Sequence, residues 1–278
     1  MSNKHIVLAI VTLFTIFQVV NLSTKKENRV TYLDKLTNPS TPTPTPYIFP
    51  YKIPQIPKSR SYRTVIVGDS IVESLGLNAN ILREYLIYYY PDSEFVNYNY
   101  GYGATNILSL PERLTSWTKN RESSNQAILK QGFELIILES FAYNPLSEYP
   151  LEEGLKMQTD VLEQSVLQIL KEKPGSVIAF MTPIAPNPDN FARDVYHLSQ
   201  EQSSYWVKER IAYIENHKRF ALEKGIPLID VYTASLKDDG LVDTQYISND
   251  FIHPSNEGLN LMSRQIADFI YYNKIFPE

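Results

Sequence analysis

The chain has 278 residues, 43% of them hydrophobic and 21% charged, which fits one α/β catalytic domain with additions better than two full domains. A formal net charge of −5 leaves no electrostatic footprint for a nucleic-acid partner. The absence of cysteine excludes disulfides, thiolate metal sites, a cysteine nucleophile and a lipidated N-terminal cysteine.

The chain opens on an apolar stretch, residues 6–22, with no charge in it. At about 1.5 Å per residue, a helix over this stretch spans roughly 25 Å, near the lower limit for crossing a bilayer. Only Thr12, Thr15, Gln18 and Asn21 interrupt it, so it lacks the polar face of a packed amphipathic helix. No small-residue cleavage signal follows Gln18, so residues 1–24 read as an uncleaved N-terminal transmembrane anchor, a cleaved signal peptide being the alternative. Lys25, Lys26 and Arg29 outnumber Lys4, a bias that loop counting would place inside. An apolar leader running directly into a large domain nevertheless serves export, and the expectation is a membrane-anchored protein whose main domain is extracytoplasmic.

A Pro-rich linker follows over residues 25–60, with prolines at 39, 42, 44, 46, 50, 54 and 57. That spacing favours extended polyproline II, a stalk that needs no core. From residue 61 the pattern alternates between strand and helix. Strands are expected at Arg63–Val67, Glu94–Tyr98, Glu134–Glu139, Ser176–Met181 and Pro227–Val231. Helices are expected near 72–90, 154–172, 203–224 and 256–273. Such alternation implies a parallel sheet covered on both faces, with functional groups on loops at the carboxyl ends of the strands.

Four short motifs fall on such loops. Gly68-Asp69-Ser70 follows the first strand and opens a helix, placing a hydroxyl where helix-terminal N–H groups favour developing negative charge. The same residues also suit plain helix capping. Asn99-Tyr100-Gly101-Tyr102-Gly103-Ala104-Thr105 follows the second strand, its glycines allowing close backbone approach to a ligand or serving only as a turn. Ser140-Phe141-Ala142-Tyr143-Asn144-Pro145 follows the third, where Asn144 offers a side-chain donor or simply a turn before proline. Near the C-terminus, Asp250-Phe251-Ile252-His253-Pro254 places a carboxylate where it can orient an imidazole. His197 and His217 fall in or beside helices and read as surface residues. Tyr100, Tyr102 and Tyr143 either present aromatic faces to a sugar or pack the rim, and residues 183–204 are a candidate lid or substrate wall.

Taken together and in this order, the four motifs resemble the conserved blocks of the SGNH/GDSL hydrolases over about residues 62–275. The resemblance implies a flavodoxin-like three-layer α/β/α fold with a five-stranded parallel sheet, and ester hydrolysis through an acyl-enzyme. It implies Ser70 as nucleophile, His253 as general base and Asp250 as its acidic partner. The oxyanion donors would be the Ser70 backbone N–H, the Gly103 N–H and the Asn144 side chain. No metal and no organic cofactor are implied. Two departures stand out: the third block reads Ala142-Tyr143-Asn144-Pro145 where the family has Gly-x-Asn-Asp, and one extra residue precedes Gly103. An anchored external enzyme of this type would act on acyl esters, including O-acyl groups on envelope carbohydrate. The rival readings are a membrane-anchored O-acyltransferase and a non-catalytic surface binding module on the same fold.

Overall fold

The computed structural model describes residues 49–121 and 123–278. The expected anchor over residues 1–24 and the linker as far as residue 48 lie outside the described residues. Among the described residues no helix is long and apolar enough to cross a membrane.

Five parallel strands make the central sheet: β1 (Ser61–Gly68), β2 (Glu94–Gly101), β3 (Leu135–Glu139), β4 (Val177–Met181) and β5 (Leu228–Ile229), in the order β2-β1-β3-β4-β5. The helices are α1 (Ser70–Glu73), α2 (Asn80–Tyr89), α3 (Leu110–Thr115), α4 (Leu151–Glu172), α5 (Arg193–Tyr196), α6 (Gln200–Lys224), α7 (Val231–Ala234) and α8 (Asn256–Tyr272). β3 and β4 are buried from end to end, because both faces of a parallel sheet are covered; their unbroken apolar runs follow from that. Along β1 successive side chains take opposite faces. Tyr62 and Ile66 join α2 and α8 in one apolar layer, while Val65 and Val67 join α4 and α6 in the other. This is a three-layer α/β/α arrangement with flavodoxin-like strand order, whose crevice opens at the carboxyl ends of β1 and β3.

Three local differences from the sequence reading have physical causes. The single helix expected near 72–90 is two, α1 and α2, parted by Gly76 at φ +79° and Ala79 at φ +43°, both left-handed and incompatible with a continuing helix. Residues 49–60, assigned to the linker, lie on the domain: Phe49, Tyr51 and Ile56 are buried. Tyr51 donates its N–H to the Lys224 carbonyl (2.8 Å), and its hydroxyl accepts from the Ile178 N–H (2.9 Å). Between β2 and β3 the chain adds α3 and a small antiparallel hairpin, Thr118–Asn120 with Ser123–Asn125, neither of which periodicity suggested.

Candidate active site

Parallel pairing brings the first two loops together. β1 and β2 run in register to their last residues, Gly68 opposite Gly101, so Ser70 and Gly103 leave the sheet side by side. α1 lies directly on β2: a Cβ added to Gly101 would stand 2.1 Å from the Glu73 amide nitrogen. Gly101 therefore makes room for protein backbone, the backbone of the helix that carries Ser70. Asp69 caps that helix, its Oδ1 accepting from the Ile71 N–H at 2.9 Å.

Arg113 of α3 ties the two loops together from below. Its guanidinium is buried and donates to the carbonyls of Gly68 and Tyr100, both at 2.7 Å, and to the hydroxyls of Ser109 (2.8 Å) and Thr105. Burial pushes its pKa down to about 10, yet it remains a cation at neutral pH. It also lies over the Tyr102 ring at 4.2 Å. Tyr100 and Tyr102 are themselves buried, their hydroxyls bonded to the Gln126 carbonyl and to Thr118, so both serve packing; of the three loop tyrosines Tyr143 alone borders the cavity that holds Ser70.

The third block is organised by two buried carboxyl groups. Asn144 donates from Nδ2 to Asp69 Oδ2 at 3.1 Å, which fixes the amide and leaves its second N–H free. Thus the carboxylate that caps α1 also holds the third loop, in place of any group at Pro145. The left-handed residue of this turn is Phe141 (φ +56°), so Ala142 is not asked for glycine-only angles. Glu139, the last residue of β3, pins the turn by accepting from the Ser140 hydroxyl (2.7 Å) and the Phe141 N–H (2.8 Å). Burial first, and the neighbouring Asp69 charge second, hold the Glu139 carboxyl well above the usual carboxylate range. Asp69 is also raised by burial, against the pull of the Ile71 and Asn144 donors.

His253 and Asp250 come from the loop before α8. His253 Nδ1 lies 2.6 Å from Asp250 Oδ2. The other carboxylate oxygen accepts from the Ser248 hydroxyl (2.6 Å) and from the Ile252 and His253 N–H groups (both 2.9 Å). Desolvation raises the Asp250 pKa, but these donors outweigh it and hold the carboxyl well below its usual range, ionised at neutral pH. With Nδ1 engaged, Nε2 is the ring nitrogen left for a proton. His197 is exposed, whereas His217, expected at the surface, is fully buried on the Phe180 ring at 4.3 Å. Burial pushes its pKa down to about 3, so it stays neutral.

Ser70, Gly103, Asn144 and His253 all line one cavity of about 660 Å³. Asp250 stands behind His253. Further wall residues come from the 183–204 segment and the start of α6: Phe191, Tyr196, Trp206 and Arg210. Glu73 and the hairpin close another side, the Glu73 carboxylate accepting from Asn120 (3.1 Å) and Arg121 (3.2 Å). Sequence reasoning missed Glu73, Arg113 and Arg210. Nothing local marks a helical arginine or glutamate whose partners lie on other elements.

No protein-family profile matches the sequence, and no curated protein matches it. Solved structures do. One described as a GDSL-like lipase from Parabacteroides merdae superposes with a TM-score of 0.56 at 15% identity, covering 80% of this chain and 100% of the other. The lipase/acylhydrolase from Enterococcus faecalis gives 0.53 at 17% identity, with 76% of this chain and 96% of that one covered. Another, described as an acylhydrolase from Bacteroides fragilis, gives 0.51 at 15% identity, covering 82% and 94%. Strand order, the placement of the four loops and these superpositions agree on one architecture: the chain has the fold of the SGNH/GDSL hydrolases.

Proposed function

We infer that this protein is a serine ester hydrolase. The observation that carries the reading is a single cavity bordered by the Ser70 hydroxyl and by His253, whose far ring nitrogen is clamped 2.6 Å from a carboxylate held ionised by three further donors. In the mechanism, Ser70 Oγ attacks the acyl carbonyl while His253 Nε2 takes its proton. Asp250 fixes the ring and stabilises the imidazolium that forms. The Ser70 and Gly103 N–H groups and the second Asn144 Nδ2–H receive the developing oxyanion. The alcohol leaves with the proton from His253; water, deprotonated in turn by His253, then attacks the acyl carbon, and the Oγ–acyl bond breaks as His253 returns that proton to Ser70 Oγ, releasing the acid.

A large cavity with aromatic walls admits more than a small acetyl ester, and the apolar residues 6–22 favour a membrane-anchored enzyme acting outside the cytoplasm. O-acyl groups on envelope carbohydrate are the substrate class that joins these two features. Labelling with a fluorophosphonate tests the chemistry: the expected result is one adduct on Ser70, absent from Ser70→Ala. Hydrolysis of p-nitrophenyl acetate should disappear with Ser70→Ala and with His253→Ala. Activity that survives Ser70→Ala would refute the mechanism.

A further inference from the structure

Arg210 is left unused by ester hydrolysis as described. It sits on α6 and is only 8% exposed, yet it borders the same cavity as Ser70. Its hydrogen bonding is sparse for a buried cation. Nη1 donates to the Trp206 carbonyl at 3.0 Å, one turn back along the helix, and Nε has no partner. The adjacent Glu209 carboxylate stays 3.8 Å away and is occupied by the Ser147 hydroxyl at 2.7 Å. The Tyr143 hydroxyl donates its proton to the Ile184 carbonyl at 3.1 Å, and a neutral phenol supplies no counter-charge.

What surrounds the guanidinium instead is aromatic. It lies 4.7 Å from the Phe191 ring centre and 4.9 Å from that of Trp206, and Tyr196 packs on Trp206 at 5.3 Å. Ring faces offset part of the lost hydration of a cation but supply no counter-charge. A cation in such a position gains most from an anion that enters the cavity and completes a charge-assisted pair. Desolvation shifts the Arg210 pKa downward, outweighing the opposing pull of the Glu209 charge.

We propose that Arg210 is a specificity residue that selects esters bearing a carboxylate, gripped beside the Phe191 and Trp206 rings. The proposal rests on the esterase reading above for its catalytic consequence. A single carboxylate suits the site better than a phosphate dianion. Beside these rings Arg210 offers one guanidinium; the other in the cavity wall, Arg121, is paired with Glu73 at 3.2 Å, and the Glu209 carboxylate 3.8 Å from Arg210 would repel a second negative charge.

Two matched pairs of esters test it on the full-length protein. One pair differs on the acyl side, p-nitrophenyl hemisuccinate against p-nitrophenyl butyrate. The other differs on the alcohol side, para-acetoxybenzoate against para-acetoxybenzamide. In at least one pair, wild type should favour the anionic ester, by about tenfold or more in kcat/KM. Arg210→Gln should abolish that preference through KM, and Arg210→Lys should keep part of it. A preference that Arg210→Gln leaves intact, or equal losses on both members of each pair, would overturn the proposal and assign Arg210 to packing. Calorimetric titration separates this outcome from failure of the esterase reading. Succinate should bind wild type and not Arg210→Gln even if no ester is hydrolysed, and lack of succinate binding to wild type would refute the site. Inorganic phosphate that competes equally with succinate would overturn the choice of a carboxylate.

Discussion

The chemistry turns on how single side chains are held, and Asn144 shows this best. One of its amide hydrogens is committed to Asp69, so the other points in a direction set by a buried carboxylate. A donor fixed in this way acts when charge develops on the substrate oxygen. Asn144→Ala should therefore lower kcat by about 10²–10³ with little change in KM. Asp69→Asn should act in the same direction while leaving Asn144 in place, because its new amide would face a donor with a donor. Steady-state kinetics on p-nitrophenyl acetate check both. A kcat within about threefold of wild type for Asn144→Ala would remove that residue from the oxyanion hole. Ser70, Asn144, Asp250 and His253 could be picked out in the sequence as candidates because each sits in a short loop whose local residues carry the signal. Arg113, Glu73 and Arg210 were not, since each acquires its role from partners on other elements. His217 was misread for the same reason: its burial depends on where Phe180 lies across the sheet.

At the scale of elements, the site depends on how the strand ends are packed. α1 rests on Gly101 with no space for a methyl group. Gly101→Ala should push the helix that carries Ser70 off the sheet, costing about 1–3 kcal/mol by overpacking. Chemical denaturation and Ser70 labelling should fall together, and retained labelling at wild-type rate would contradict that placement. The end of β3 gives a pH dependence. A carboxyl whose pKa is raised by folding binds more protons in the folded chain than in the unfolded one, so stability declines as pH rises from the unfolded pKa toward the folded one. Glu139→Gln removes that titration. Its stability relative to wild type should therefore rise as pH climbs above about 4.5, with the two nearest at the acid end. Urea midpoints at pH 5 and pH 8 check the sign. The principal strands and long helices were readable, β3 and β4 from unbroken apolar runs and α4 and α8 from a regular buried face. The break at Gly76 and the insertion of α3 with its hairpin were not readable. Short elements satisfy backbone groups locally and leave no period to detect.

For the molecule as a whole, the described unit begins at Phe49 rather than at β1. Phe49, Tyr51 and Ile56 are buried against it, each contributing roughly 1.5–3 kcal/mol of apolar burial. A chain starting at residue 48 should melt cooperatively and keep full activity on small esters. One starting at residue 61 should lose several degrees in Tm and leave the Ile178 N–H without its acceptor. Equal Tm values for the two would show that the segment adds nothing. The placement of aromatic residues has a further consequence, in optics. Only two tryptophans occur in the chain; Trp117 is 66% exposed, while Trp206 stands half-buried in the cavity wall beside a guanidinium and a tyrosine. In Trp117→Phe the remaining indole would therefore fluoresce from the cavity alone. Its emission maximum, and its quenching by iodide or acrylamide, would follow occupancy of the site in real time without a label or a coupled assay.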